Sequence, residues 1–316
     1  MTTASASEIQ LVTPVGNQSP ELGDEFGAPS RSQGRQAFDR FTHSWISMIS
    51  LILFVGTIAF CFIYPQFYHW KFETPDLRKV AQSAPPGTAG HILGTDETGF
   101  DLLARMMRGT QRDFIIMVVS SAVTLTIGIT VGAIAGYFGA IADNVLMRFV
   151  DLMLSVPVLV ILIIYCNRTP DIGPVGLALA FGAFGWMGLS RLVRAQFLAL
   201  KEREFIEASH AMGASNFRII VRHMIPNTTG TILVFGTIFA ALSIVTETSL
   251  TFLGVGVHAP DTSLGLLITN GVDAADTRGW LFYYPGLVVV FIVLIVNLIG
   301  EGIRNAFDPR HNRVRD

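Results

Sequence analysis

The chain has 316 residues, a formal net charge of −2, a hydrophobic content of 51% and a charged content of only 15%. Its mean hydropathy is +0.51, whereas about a quarter of the residues of an ordinary soluble domain are charged. The composition therefore excludes a typical soluble protein and places the chain in a lipid bilayer.

The N-terminal segment, residues 1 to 37, differs from the rest of the chain. It is rich in Ser, Thr, Pro and Gly and contains few large apolar side chains. Such a segment cannot bury enough apolar surface to fold alone. We expect a disordered cytoplasmic tail, followed by a membrane domain over residues 38 to 316.

Six apolar windows follow the tail. A helix needs about 20 mostly apolar residues to cross the hydrocarbon core, and four windows approach or exceed that length without a Lys or Arg. Two shorter windows are interrupted by Pro157 and by glycines. The predicted spans are residues 44–64, 114–138, 150–166, 175–189, 231–257 and 283–300. The first begins beyond residue 40 and lacks a small-x-small cleavage site, so it is not a removable signal peptide.

Two spans contain closely spaced glycines, which let a neighbouring helix approach. The second span has them every four residues and the fourth span every three: Gly128, Gly132 and Gly136, and then Gly182, Gly185 and Gly188. Both sets predict packing surfaces in a tight helical bundle rather than contacts to a substrate.

The basic residues predict the orientation of the spans. With the N-terminus inside, 14 of the 22 Lys and Arg residues lie in cytoplasmic segments. Short cytoplasmic loops carry an excess of Lys and Arg. We therefore expect both termini in the cytoplasm.

Several catalytic and metal-binding patterns are missing from the sequence. None of the lysines follows a glycine-rich phosphate-binding loop, and there is no Gly-x-Ser-x-Gly, Cys-x-x-Cys or His-Glu-x-x-His pattern. We expect no catalytic residue, no metal site and no ATPase site on this chain. Cys61 and Cys166 are interpreted as small buried apolar residues.

Glu247 is the acidic residue deep inside a long apolar window. An ionisable side chain at that depth is costly, which makes it a candidate for a role in a pathway or a gate. Hydrogen bonds from the neighbouring Thr and Ser residues to a neutral Glu, or pairing with an Arg of another subunit, are the structural alternatives.

The loop over residues 191 to 227 carries most of the functional signal. Residues 191 to 210 mix apolar and charged side chains at helical spacing, so we expect the fourth span to continue as an amphipathic helix. Gly213 permits a turn, Ser215 can cap a second helix, and Pro226 is expected to end that helix. This pattern favours a docking surface over a solvated connector.

The residues of this loop resemble the EAA loop of binding-protein-dependent ABC importer permeases. Glu207, Ala208 and Ser209 are followed by Gly213 and then by Pro226. The sequence is most similar to the peptide/nickel subfamily, and specifically to its second permease subunit, the DppC/OppC type. The resemblance covers about residues 38 to 310 and includes residues 91–96, Gly99, Asp101 and residues 147–151, 191–194, 222–227, 247–254 and 308–310.

Three positions depart from the family pattern. Phe100 stands where the family usually has Arg, Ser209 replaces the second Ala of the EAA signature, and Glu301 stands where Asp is common. Ser209 is nearly isosteric with Ala, so we expect it to permit docking. Phe100 removes a positive charge from an ion pair that the family could make there.

The resemblance implies an all-α integral membrane protein with six transmembrane helices and the type I ABC importer fold, also called MetI-like. The chain would form half of the translocation pathway for di- or oligopeptides. A separate ATPase would move the bundle through the helical loop. The residues implied in this coupling are Glu207, Ala208, Ser209, Gly213, Ile225 and Pro226.

The resemblance also implies partners and a location. The partners are a second permease subunit of the DppB/OppB type, one or two cytoplasmic ATPase subunits, an extracytoplasmic substrate-binding protein and membrane lipid, with no nucleic acid. This chain would bind no cofactor, because ATP is used by the partner subunits. The location is a bacterial cell membrane, crossed several times.

Two alternative functions remain open from the sequence. The same type of importer could carry nickel or another small solute, because selectivity in these systems rests largely on the binding protein. A proton-coupled secondary transporter is less favoured, because it needs ionisable residues in several spans and Glu247 is nearly alone.

Overall fold

A computed structural model describes residues 33–169, 172–258 and 260–308. Residues 1 to 32 of the predicted tail lie outside the described residues. Residues 33 to 37 belong to the first helix, α1 (Gln33–His43). Arg40 on this helix donates hydrogen bonds to the carbonyl groups of Ala306 (3.5 Å) and Asp308 (3.3 Å) near the opposite end of the chain.

The described part of the chain is helical, and five of its helices are long and apolar enough to cross a membrane. A pair of helices joined by a 72° bend supplies a sixth crossing if the pair forms one span. The predicted all-α membrane fold is therefore confirmed, with five or six spans. The helices concerned are α2 (Trp45–Phe67), α3 (Leu102–Phe138), the bent pair α4 (Ala140–Leu154) and α5 (Val158–Arg168), α6 (Pro174–Lys201), α9 (Ile225–Phe252) and α11 (Trp280–Phe307).

Several span boundaries differ from the predicted ones, and for two spans the reasons are local. The third span breaks before Pro157, since proline lacks an N–H and disfavours a helical residue before it. This span also starts earlier than predicted, directly after Gly139, which has a φ of +62°. Helix α9 ends at Phe252, and Gly254 with a φ of +79° then redirects the chain.

The centre of the bundle is the contact between α3 and α6, where the glycines of α3 face α6. A Cβ atom added to Gly128 would lie 2.9 Å from the Leu189 side chain, and one added to Gly132 would lie 2.5 Å from the carbonyl oxygen of Ser190. One added to Gly136 would lie 2.6 Å from Phe197 Cβ. The predicted packing role of these glycines is confirmed, because any side chain there would separate the two helices.

The segment between α2 and α3 packs back onto the bundle through buried polar side chains. His91 Nδ1 lies 2.7 Å from Asp101 Oδ2, and its Nε2 lies 3.4 Å from Asp76 Oδ2. Tyr68 donates a hydrogen bond of 3.2 Å to the same Asp101 oxygen. Hydrogen bonds from Arg78 hold the pKa of Asp76 well below its ordinary value. Asp76 therefore stays ionised, and the contacts of His91 with Asp76 and Asp101 fix the segment to the start of α3.

Phe100, which departs from the family pattern, lies in this segment against a cation. The guanidinium of Arg105 stacks on the Phe100 ring, with its central carbon 3.7 Å from the ring centroid. Arg105 Nη1 also lies 2.9 Å from Asp96 Oδ2. Arg105, one turn into α3, thus places a positive charge beside Phe100.

Candidate functional site

The loop between α6 and α9 folds as two short helices. Helix α6 ends at Lys201, and Arg203 has an extended backbone with ψ 138°. Helix α7 (Glu204–Ala211) and helix α8 (Asn216–Ile219) follow. The prediction that one amphipathic helix continues through residue 210 is therefore wrong, because the extended residue reorients the chain at the end of α6.

The turn between the two short helices has the predicted chemistry. Gly213 has a φ of +78°, a conformation that costs glycine little. The N–H of Ala214 donates to the Ser209 carbonyl at 3.1 Å, which closes the end of α7. The Ser215 side chain caps α8 by accepting from the Arg218 N–H at 3.4 Å. The predicted turn and cap are confirmed.

Pro226 has a different effect from the predicted one. The prediction that it ends the second loop helix is wrong, since the helical path runs from Asn216 to Phe252 without a break. A π-helical segment, Ile220–Met224, precedes the proline, and the N–H of Ile225 donates to the Ile220 carbonyl. The wider turn accommodates a residue that lacks an N–H, so α8 and α9 form one continuous rod.

The inner side of the loop is fixed to the bundle. Ile206, Ile219 and Met224 are buried in one cluster with Val193 and Phe197 of α6. Burying each of these side chains is worth roughly 1.5–3 kcal/mol. The loop is therefore part of the folded bundle and not a solvated connector.

Polar contacts attach the same loop to the end of α3. The Tyr137 hydroxyl donates to Asn216 Oδ1 at 2.9 Å and lies 3.1 Å from His210 Nε2. Lys201 Nζ donates to the backbone oxygen of Tyr137 at 3.0 Å. One residue of α3 thus contacts the end of α6, the end of α7 and the start of α8.

The outer side of the loop exposes the first two residues of the EAA signature. Glu207 and Ala208 are exposed, whereas Ser209 is buried and donates to the Phe205 carbonyl at 2.7 Å. Two large apolar side chains are also exposed at the turn: Met212 is 80% exposed and Phe217 is 76% exposed. Of the remaining predicted coupling residues, Gly213 and Pro226 are exposed and Ile225 is half-buried.

Glu247 lies far from this loop, in the last turns of α9. Its side chain is 0% exposed, and Thr251 donates to its Oε1 at 2.8 Å. Asp113 of α3 is 1% exposed and interacts electrostatically with Glu247. Asp113 was not among the predicted site residues, because the predicted second span began one residue later, although α3 begins at Leu102.

The described residues contain no group of three or more His, Cys, Asp or Glu side chains that could hold a metal ion. Both cysteines are free and buried.

Comparison with known proteins identifies the family. The profile of the family described as "Binding-protein-dependent transport system inner membrane component" matches residues 128–313, which is more than half of the chain. This chain belongs to that family. It is a permease subunit of an ABC importer and a multi-pass membrane protein, and membership implies in general a partner permease, an ATPase and a substrate-binding protein.

Individual relatives support the same assignment. The chain is 40% identical over 266 residues to the oligopeptide transport system permease protein OppC of Mycobacterium tuberculosis, covering 84% of this chain and 89% of the relative. It is 30% identical over 292 residues to the dipeptide transport system permease protein DppC of Bacillus subtilis, covering 92% and 90% of the two chains.

A solved structure shows the same type of fold. The chain superimposes on a chain of the inward-facing MetNI methionine ABC transporter with a TM-score of 0.51 and 20% sequence identity. The match covers 66% of this chain and 98% of that chain. The predicted type I ABC importer fold is confirmed.

Proposed function

We propose that this permease subunit forms half of the translocation pathway for di- or oligopeptides and that its loop over residues 191–227 binds a separate ATPase. The loop geometry carries the coupling part of the proposal. One side of the loop is packed on α6 and hydrogen-bonded to α3, while the other side presents Glu207, Met212 and Phe217 to solvent. Exposed apolar side chains on a rigid support are typical of a protein-binding surface.

Each signature residue has a distinct role in this proposal. Glu207 pairs with a basic group of the ATPase, and Ala208 lets the ATPase surface approach closely. Gly213 sets the angle of the turn. The buried Ser209 and the half-buried Ile225 pack the loop on the bundle, and Pro226 lies at the joint between the π-helical segment and α9. Because α8 continues into α9, movement of the loop moves a membrane-spanning helix as a rigid body.

The substrate class rests on the relatives. Those at 30–40% identity are named as oligopeptide and dipeptide permeases. The chain matches them over most of their length, so we propose peptides as the solute. Glu247, at the other end of α9, is proposed to line or gate the outer part of the pathway.

The remaining assignments follow from this reading. The partners are a second permease of the DppB/OppB type, one or two ATPase subunits and an extracytoplasmic binding protein. The chain binds no cofactor and has no ATPase site of its own, since the ATP is bound by its partners. Both termini lie in the cytoplasm of a bacterial cell, and the loop over residues 191–227 is on the same side.

Uptake in cells that lack the chain, and in the same cells complemented with it, tests the substrate and the energy source. We expect restored uptake of a labelled dipeptide or tetrapeptide, which is lost on ATP depletion and retained with an uncoupler at maintained ATP. Restored uptake of nickel without peptide uptake would contradict the peptide assignment. Loss of uptake with an uncoupler while ATP is maintained would contradict ATP-driven transport.

Mass spectrometry of the proteins that co-purify with the tagged chain tests the partners. We expect a second six-span permease and one or two ATPases. Recovery of the chain alone, under conditions that keep a known ABC importer intact, would contradict the assembly.

A further inference from the structure

Two carboxyl groups from different membrane-spanning helices meet behind a short helix, α10 (Leu264–Gly271). Asp113 faces the backbone N–H of Leu264, and Glu247 faces the hydroxyl of Ser263. A Cβ atom on Gly265 would lie 3.1 Å from Glu247 Oε2. The start of α10 is therefore packed directly on both acids, and the lack of a side chain at residue 265 permits this approach.

Most of the carboxylate oxygens lack a hydrogen bond of ordinary geometry within the described residues. Glu247 Oε1 accepts from Thr251, but Glu247 Oε2 and both Asp113 oxygens are buried without a partner. The hydroxyl oxygen of Thr262, next to the cap of α10, is also buried and unpartnered. A buried polar group without a partner costs free energy, and a buried charge costs more.

Basic residues do not neutralise this pair in the described part of the chain. The nearest along α3 are Arg108 and Arg112, and both bind Asp261, at 3.1 Å and 2.5 Å. Burial raises the pKa of Asp261, but the hydrogen bonds from Arg112 and Arg108 outweigh burial and leave the pKa below its ordinary value. Asp261 thus stays ionised and forms ion pairs with both guanidinium groups, and Arg112 Nε makes no hydrogen bond of ordinary geometry within the described residues.

The other helices packed around the pair bring no charge. Helices α2 and α10 contain no Asp, Glu, Lys, Arg or His, and neither do residues 280–300 of α11. The N-terminus of α10 supplies about half of an elementary positive charge. Two carboxylates in the same space therefore retain an excess of about one and a half negative charges, which a buried site does not tolerate without a counter-charge.

We propose that Asp113 and Glu247 form a binding site for one monovalent cation, a proton or a sodium ion, whose occupation holds α10 against α3 and α9. Carboxylate and hydroxyl oxygens are the ligand type that hard cations prefer. A bound cation offsets most of this negative charge, whereas the empty site leaves mutually repelling carboxylates beneath α10. The proposal goes beyond peptide transport and does not depend on which solute the importer carries.

Thermal unfolding of the full-length chain in lipid nanodiscs tests the site. A cation that binds the folded chain stabilises it in proportion to the logarithm of its concentration. Above saturation, a tenfold increase is worth about 1.4 kcal/mol, and we expect the midpoint to rise by about 2 °C or more. A sodium series at fixed pH and a pH series in sodium-free buffer distinguish the two cations. A rise with sodium assigns sodium, and a rise only with falling pH assigns the proton.

Matched variants test whether the cation dependence of the unfolding midpoint comes from Asp113 and Glu247. The double variant Asp113→Asn/Glu247→Gln keeps the shape of the site without its charge, so we expect it to lose the cation dependence. Asp273→Asn/Asp276→Asn makes the same change of charge at exposed residues just after α10 and is expected to keep the cation dependence. An identical dependence on both cations in the wild type and the Asp113→Asn/Glu247→Gln variant would overturn the proposal.

Measurements on the wild-type chain make the test independent of how the variants fold. A proton in the site gives an infrared C=O band of a buried carboxylic acid in sodium-free buffer at neutral pH. A sodium ion in the site gives retention of radioactive sodium by the purified chain. Absence of both signals would overturn the proposal.

Discussion

Glu207 and Ser209 are two residues apart on α7 but lie in opposite environments. Successive residues of an α-helix are separated by about 100°, so this spacing points the two side chains away from each other. Glu207 is exposed, whereas Ser209 is buried and satisfies its hydroxyl on the Phe205 carbonyl. The signature therefore combines a residue that can contact a partner with one that packs the helix on the bundle. This division explains why Ser is compatible with the third position.

Reversing the charge of Glu207 is expected to abolish uptake without removing the protein from the membrane. Glu207→Lys places like charges at the proposed ATPase contact, and removing one partner of an interfacial charge pair costs about 2–5 kcal/mol when the pair is buried. We expect a loss of at least tenfold in peptide uptake at equal membrane abundance. Glu73→Lys, a reversal of an exposed charge between α2 and α3 and outside the loop, is the control. Full uptake by Glu207→Lys would contradict the docking role.

Tyr137 is expected to fix the angle of the loop relative to α3. Tyr137→Phe retains the ring but removes the hydroxyl contacts to Asn216 and His210, each worth about 0.5–1.5 kcal/mol. We expect more ATP hydrolysed for each peptide transported by the reconstituted importer, because a loosened loop transmits movement less completely. Tyr283→Phe, on an exposed tyrosine of α11, serves as the matched control. An unchanged ratio of ATP to peptide in Tyr137→Phe would refute this role.

At the scale of elements, the glycine face of α3 defines how closely α6 can pack. Residues four apart lie on one side of a helix, so the sequence predicted that this face would be a contact. It did not identify α6 as the partner, because periodicity specifies a face and not the helix opposite it. Helix α6 becomes the partner because the bend at Pro157 and the short connection between α5 and α6 bring the chain back to α3.

A bulky side chain on this face should separate the two helices. Gly132→Leu places atoms where the Ser190 carbonyl and the Val193 side chain already lie. Such overpacking costs roughly 1–3 kcal/mol, and more where backbone must move. We expect a lower unfolding midpoint and reduced uptake. Gly56→Leu is the control, because a Cβ at Gly56 has open space around it. Equal midpoints for the two variants would contradict a central role of this contact.

Local sequence rules predicted some features of the loop and failed for others. Gly213 and Ser215 behave as expected because a turn and a cap depend on neighbouring backbone alone. Pro226 does not, because the packing of Ile219 and Met224 keeps the helix continuous and a π-helical segment absorbs the missing N–H. Asp113 was missed because hydropathy marks the apolar centre of a span, whereas its helix extends beyond that centre.

At the scale of the whole molecule, many large apolar side chains remain exposed on the membrane-spanning helices. Helix α2 alone exposes Trp45, Ile52, Val55 and Phe67 by more than half of their surface. In a bilayer such a surface contacts lipid or another subunit. Lipid and the partner subunits that the family implies in general are therefore the contacts expected for this surface.

The two ends of this assembly should be accessible from opposite sides of the membrane. Met212 is at the exposed turn of the loop, and Asp273 is exposed just after α10, at the other end of α9.

Cysteine labelling tests this arrangement. The native thiols of Cys61 and Cys166 are buried, so a membrane-impermeant thiol reagent would label the introduced cysteines. We expect Asp273→Cys to react in intact spheroplasts, and Met212→Cys to react only after the membrane is opened. The physical reason is the excess of Lys and Arg in the segments on the loop side. Reaction of Met212→Cys in intact spheroplasts would contradict the cytoplasmic location of the loop, and with it the proposed ATPase contact.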